Sequence, residues 1–354
     1  ILQEEKRFAE TLDHGMAILE AALEANPNEL AGETVFKLYD TYGFPLDLTQ
    51  DIAREHHLQV DLLGFETCMQ HQRTLSQANN QFSIDYSNTD DLKVSSVFHG
   101  YECDCMQSTI STLLLDNQKI NQLKAGSQAA VVLEETPFYA ESGGQVGDKG
   151  QIVSQTGAVF RVDDTKKIGQ AIVHFGELLT GSLEVNDKVD VAVDSARRAA
   201  IRLNHTATHL LHAALKQILG AHVQQKGSLV DADRARFDFS HTEALTSEQI
   251  QLLEKMVNER IRANDPVFTE IMTLDDAKSS GALALFGEKY DEKVRVLNFG
   301  SGYSVELCGG THVSRTGDIG AFKIISEGSI ASGIRRIEAV TGALAWDVIY
   351  YEQH

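Results

Sequence analysis

The sequence predicts a multidomain α+β protein in three parts: a helical region over residues 1–86, a small β-barrel over 87–194, and a third region over 195–354 that mixes helices with strands. Three observations carry that reading. Apolar residues recur every three or four positions in the first part, as one face of a helix requires. In the second they alternate with polar ones in short runs between turns, as half-buried strands require, and the third part combines both patterns. With 354 residues, 42% hydrophobic and 23% charged, the chain has apolar material for two or three cored domains and is not a disordered polymer.

In the first part, Phe8, Leu12, Met16, Leu19 and Leu23 form one stripe, which Asn26-Pro27-Asn28 breaks. Val35, Leu38 and Tyr42 line a short helix ending at Gly43-Phe44-Pro45. Thr49 is then expected to cap the next helix, and Asp61 the one carrying Leu62, Phe65 and Met69. Polar runs at 79–81 and 85–91 mark a loop or boundary.

In the second part, Val131-Val132-Leu133, Ile152-Val153, Val159-Phe160-Arg161-Val162 and Ile172-Val173-His174-Phe175 read as strands of a small barrel or sandwich. Val189, Val191 and Val193 alternate with Asp190, Ala192 and Asp194, so the last strand buries one face. Residues 139–148 form a glycine-rich loop around Gly143, Gly144 and Gln145. It is either a tight turn or a backbone surface that a ligand approaches closely.

In the third part, a helix over 196–219 has Leu210, Leu211, Leu215 and Leu219 on its apolar side, and Thr246 with Gln249 forms a capping box for a helix that packs Leu253, Val257 and Ile261 inward. Strands are expected at 236–239, 294–297, 305–307, 322–325 and 335–340. Helices laid on a mostly antiparallel sheet are the economical packing.

The chemistry-bearing residues are two pairs, His205-Thr-Ala-Thr-His209 and Cys308-Gly-Gly-Thr-His312. Three imidazoles and a thiol suit a tetrahedral zinc ion. On a helix, His205 and His209 project from one face. Gly309 and Gly310 disfavour a helix and suit a turn that folds Cys308 and His312 toward one point, so the ligands come from one helix and one loop. A zinc peptidase would carry Glu where Thr206 stands, which sets that class aside.

The formal net charge of −20 disfavours a nucleic-acid partner overall, but Arg197, Arg198 and Arg202 precede the His pair and Arg335 and Arg336 follow the Cys-His pair. From charge alone these arginines read equally as a solvated surface or as a patch facing phosphates. Cys68, Cys103, Cys105 and Cys308 make no disulfide framework, with Cys103 and Cys105 expected on one face of a strand. A reducing cytosol is the expected compartment, no stretch is long and apolar enough for a membrane span, and the start at Ile1, without Met or signal pattern, reads as mid-chain.

Several stretches resemble alanyl-tRNA synthetases: Leu38-Tyr39-Asp40-Thr41-Tyr42-Gly43-Phe44-Pro45, Thr136-Pro137-Phe138-Tyr139-Ala140-Glu141-Ser142-Gly143-Gly144-Gln145, Asn204-His205-Thr206-Ala207-Thr208-His209-Leu210-Leu211-His212, Gln225-Lys226-Gly227-Ser228-Leu229-Val230 and Leu307-Cys308-Gly309-Gly310-Thr311-His312. The resemblance runs nearly end to end. The metal motif is shared with threonyl-type and freestanding editors, so the Tyr39-to-Pro45 stretch and its flanking helices decide among them. By resemblance, residues 1–86 are the distal part of the tRNA-recognition region, 87–194 the barrel, and 195–354 the zinc-binding two-layer editing domain shared by threonyl- and alanyl-tRNA synthetases.

The resemblance implies hydrolysis of tRNA(Ala) mischarged with serine or glycine at one zinc ion on His205, His209, Cys308 and His312. Cys308, Thr208 and Gln225 would be catalytic, with the latter two reading or orienting substrate. Gly143, Gly144 and Gln145 would lie over the acceptor end, and Arg197, Arg198 and Arg202, then Arg335 or Arg336, would contact phosphates. Thr208 and Gln225 each also have a plainer reading, a hydrogen bond to its own helix for Thr208 and simple exposure for Gln225. His212 is left as a supporting or core residue. An aminoacylation domain using ATP and Mg2+ and a C-terminal extension are expected outside this sequence. The alternatives are a non-catalytic tRNA-binding module with a structural zinc, since four protein ligands are the closed count of a structural site, or a threonyl-type or freestanding aminoacyl-tRNA editor. The oligomeric state is not legible in the sequence.

Overall fold

A computed structural model describes residues 15–16, 18–19, 22, 29–42, 44–56, 58–78, 92, 94–283, 292–300 and 302–352. The chain divides into two compact units, Ile1–Tyr86 and Ser87–His354. The fold is α+β, as the sequence predicts.

In the first unit a short parallel pair, β1 (Glu29–Leu30) and β2 (Gln59–Val60), accompanies helices α1 (Gly32–Tyr42), α2 (Leu46–Glu55) and α3 (Leu62–Ala78). Leu19, Leu30, Val35, Leu38, Phe44 and Phe65 make the core, so Val35 and Leu38 face inward as the spacing predicts. Asp61 accepts from the Gly64 backbone N–H at 2.8 Å and caps α3. Thr49 does not cap α2. Pro45 occupies that position, pre-set for a helix start, and Thr49 lies within the helix with its hydroxyl on the Pro45 carbonyl at 3.1 Å. Phe8, Leu12, Leu23, the break at 26–28 and the polar runs lie outside the described residues.

The second unit begins with β3 (Val97–Phe98), β4 (Cys105–Leu115), β5 (Gln118–Ile120), β6 (Gln122–Lys124), β7 (Gln128–Leu133), β8 (Glu135–Thr136), β9 (Gly150–Ser154), β10 (Val159–Ile168), β11 (Ala171–Thr180), β12 (Ser182–Glu184) and β13 (Lys188–Val193). The order β13-β9-β10-β11-β7-β4, with β13 paired again to β4, closes a six-stranded barrel. Closure leaves no open edge among these strands. Ile110, Val131, Leu133, Ile152, Phe160 and Val191 fill its interior. Along β13 the valines are buried and their neighbours exposed, as the alternation predicts. Cys103 is not on a strand with Cys105. It precedes β4, its thiol donating to the His99 carbonyl at 3.7 Å.

Beyond the barrel come α4 (Ser195–Leu219), β14 (Gln225–Val230), β15 (Ala235–Ser240), α5 (Ser247–Ala263), β16 (Val267–Thr273), α6 (Leu274–Ser279), β17 (Lys293–Phe299), β18 (Ser304–Leu307), β19 (Phe322–Ala331), β20 (Ile334–Thr341) and α7 (Gly342–Glu352). Antiparallel sheets β14-β15-β20-β19 and β16-β17-β18 carry the helices. The shared core joins Leu210, Leu211 and Leu215 of α4 to Leu253, Val257 and Ile261 of α5 and to Phe237, Phe322 and Ile337 of the strands. Asp194 caps α4 by accepting from the Arg197 N–H at 3.0 Å, and the Thr246–Gln249 capping box starts α5 as expected.

Two devices join the barrel to the region beyond it, one at β14 and one at α4. The glycine-rich loop lies along β14, with Val146 N–H on the Val230 carbonyl at 3.1 Å and Val230 N–H on the Gly144 carbonyl at 2.7 Å. Gly144 has φ +85°, and a Cβ there would sit 2.6 Å from the Ser228 carbonyl oxygen, so both conformation and close approach require glycine. Arg198 of α4, fully buried, meets the equally buried Asp148 of the loop in a two-pronged ion pair and donates to the carbonyls of Gly100 at 2.9 Å and Pro137 at 2.8 Å.

Candidate metal centre

The ligand atoms of His205, His209, Cys308 and His312 all lie within 4.8 Å of one another. His205 and His209 sit one helical turn apart on α4 with rings stacked at 5.2 Å. Cys308 follows β18, and the turn after it returns His312, so that Cys308 Sγ lies 3.4 Å from both His205 Nε2 and His312 Nε2. Gly310 makes this return possible, because a Cβ there would fall 2.1 Å from His205 Cε1.

Each imidazole has a partner on its Nδ1. His205 Nδ1 is 2.7 Å from Gln145 Oε1, His209 Nδ1 is 2.8 Å from Glu306 Oε2, and His312 Nδ1 is 3.3 Å from Thr206 Oγ1. The Thr206 hydroxyl donates to the Arg202 carbonyl at 2.8 Å, so it accepts from His312. Such outer contacts orient histidine ligands at metal sites. Among the described residues His209 Nε2 is buried with no hydrogen-bond partner, which leaves that nitrogen open to a metal. The donor set and the orphaned nitrogen both fit a zinc ion.

Electrostatics agree. Burial works against a Cys308 thiolate, but His205, His312 and His209 overcome it and hold the thiol well below its usual value. Burial would lower His209, yet Glu306 and Cys308 raise it to about 10. Glu306, despite its burial, is held well below the usual carboxylate range by His209 and His212. Burial, then His205, pushes His312 well below its usual value. A divalent cation among these groups would take the place of the proton on His209.

A small cleft adjoins the cluster, lined by Thr208, Gln225, Gly143, Ser142, Ser228 and Tyr139 together with His205, His209 and Cys308. Thr208 lines it while its hydroxyl donates to the Asn204 carbonyl at 2.9 Å, so the plainer reading of that residue also holds. Gln145 departs from its expected place over the acceptor end. It is fully buried, its amide engaged with His205 and Thr311.

Among the arginines, Arg198 is a buried strut rather than a phosphate contact, since its guanidinium is spent on Asp148 and two carbonyls. Arg335 is likewise buried, on Glu327 at 2.6 and 2.7 Å. Arg197, Arg202 and Arg336 are partly exposed, on the Gly147 carbonyl at 2.9 Å, Asp104 at 3.1 Å and Asp238 at 2.6 Å respectively.

Sequence reasoning missed three supports. Glu306 of β18 bridges His209 and His212 Nδ1, the latter at 3.1 Å, and accepts from Ser304 at 2.9 Å. Arg295 donates to the Cys308 and Gly310 carbonyls at 3.3 and 3.0 Å and lies 4.2 Å over the Tyr101 ring, whose hydroxyl donates to the Gly309 carbonyl. These residues hold the ligand-bearing turn from β17 and from the barrel side. A buried Glu two residues before Cys308 was the one available signal, because an acid in an otherwise apolar strand needs partners.

Comparison with known proteins decides the family. The class II (A) tRNA synthetases match residues 1–197, and the threonyl and alanyl tRNA synthetase second additional domain matches 294–338, the segment that holds Cys308 and His312. The chain belongs to the alanyl-tRNA synthetase family. It is 57% identical over 347 residues to an alanine–tRNA ligase of Legionella pneumophila strain Lens, and 56% identical to those of strains Corby and Paris. Each match covers 97% of this chain but 40% of the relative, so the chain spans about two fifths of the length of the curated relatives it matches. His205 and His209 fall between the two matched family segments, so their place in the centre rests on the geometry above. Among the described residues no helix is long and apolar enough to cross a membrane.

Proposed function

We propose that this chain is the editing portion of an alanyl-tRNA synthetase, hydrolysing the aminoacyl ester of tRNA(Ala) mischarged with serine or glycine. One zinc ion is held by His205, His209, Cys308 and His312. The observation that carries the reading is the convergence of these four ligand atoms within 4.8 Å, three of the residues, His205, His209 and Cys308, lining a cleft. When bound, the ion supplies Lewis-acid polarisation to a carbonyl placed beside it. Thr208 and Gln225 orient the aminoacyl group in the cleft, while Gly143 brings bare backbone to its wall. The Thr208 hydroxyl donates to the Asn204 carbonyl, which leaves its oxygen to accept from the substrate.

A second, hydrolytic site answers a physical need, because a pocket for a methyl side chain rejects a hydroxyl-bearing or smaller competitor by only about a hundredfold. In this reading residues 1–86 are distal tRNA-recognition helices, 87–194 the barrel and 195–354 the editing domain. Arg197, Arg202 and Arg336 are the phosphate contacts. For a protein of the relatives' full length the reading adds ATP- and Mg2+-dependent ligation of alanine to tRNA(Ala). The cytosol is the compartment, where the four free thiols persist.

Metal analysis tests the centre: the chain should carry one zinc per molecule, and His205→Ala combined with Cys308→Ala should abolish it. Unchanged zinc in the double variant overturns the assignment.

A further inference from the structure

Gln145 belongs to the barrel loop, sixty positions from the nearest ligand, yet it reaches the centre of the cluster. Its Oε1 accepts the Thr311 backbone N–H at 2.9 Å. A backbone N–H only donates, so the atom facing it is the amide oxygen and the orientation of the amide follows. The same oxygen lies 2.7 Å from His205 Nδ1, which therefore carries the proton. That leaves the lone pair on His205 Nε2, the nitrogen 3.4 Å from Cys308 Sγ. The amide Nε2 donates to Thr311 Oγ1 at 3.0 Å, tying the turn between Cys308 and His312 to the same side chain.

We propose that Gln145 is a positioning residue of the metal centre, a barrel side chain that holds His205 in the ligand-competent tautomer and clamps the ligand-bearing turn through Thr311. The proposal rests on the metal-centre reading above. It makes the glycine-rich loop and the metal thermodynamically coupled: whatever seats the loop on β14 tightens the metal, and the metal seats the loop by the same factor.

The test compares dissociation constants for Zn2+ and Co2+, by chelator competition on the full chain, for wild type, Gln145→Met and Gln145→Glu. Met keeps the length and loses the acceptor, whereas Glu keeps an acceptor for both N–H groups. Loss of the acceptor should weaken both metals about ten- to hundredfold and change the visible spectrum of bound Co2+. The Glu variant should stay within a few-fold of wild type and keep the spectrum. A residue that merely filled space would give the opposite order, because Met packs well and a buried carboxylate does not. A Met variant with wild-type affinity and spectrum, or a Glu variant weaker than the Met variant, overturns the proposal. A wild-type chain that binds no stoichiometric metal overturns the metal-centre reading instead.

Discussion

Glu306 and His209 are bonded at 2.8 Å with both side chains buried, and the other carboxylate oxygen takes His212 at 3.1 Å. A strand residue thus aims a helix residue at the proposed metal. Replacing Glu306 by Gln keeps the size and removes the charge-assisted bonds. Zinc affinity should fall about ten- to hundredfold, measured by chelator competition, as is usual for outer partners of ligating histidines. Unchanged affinity would show that Glu306 only satisfies buried hydrogen bonds.

The two glycines of the turn should respond differently. At Gly310 an added methyl meets His205 Cε1 at 2.1 Å, whereas at Gly309 the nearest atom is the Tyr101 hydroxyl oxygen at 3.9 Å. Gly310→Ala should lose bound zinc and Gly309→Ala should retain it, as metal analysis of the purified variants will read.

His174 gives the barrel a pH dependence of its own. Burial lowers it from 6.5 to about 4, against a hydrogen bond to the Val131 carbonyl, and it also meets the Thr136 hydroxyl at 2.8 Å. The unfolded chain therefore binds a proton that the folded chain refuses. Stability tied to this group is complete above about pH 6.5 and declines as pH falls toward 4, by on the order of 3 kcal/mol in all. Urea unfolding from pH 8 to 4, without metal, should show a steeper decline for wild type than for His174→Asn.

Arg198→Met should cost about 3–5 kcal/mol in denaturant unfolding, because it strands the Asp148 carboxylate among buried groups. Loss of tRNA affinity at unchanged stability would instead return Arg198 to the phosphate contacts.

What was legible in the sequence was local. The period of three and four gave α4 and its His pair, alternation gave the barrel strands, and Thr246 with Gln249 gave a helix start, because each is written within a few residues. What was not legible depends on contacts across the chain. Gln145 reaches His205, and Glu306 reaches His209 across about a hundred positions, with no spacing rule to announce either. The arginines misled for the same reason, since a charge run does not say which member turns inward, and Arg198 does so completely. Thr49 had the right chemistry for a cap but stands four residues after the proline that holds the position.

The measurement that bears most directly on the whole account is release of labelled serine from seryl-tRNA(Ala), with Cys308→Ala and correctly charged alanyl-tRNA(Ala) as comparisons. An editing hydrolase should release serine rapidly, more slowly with the substitution, and release little alanine. No hydrolysis by a chain that holds its zinc and binds the tRNA would contradict the editing reading and leave a binding module with a structural metal.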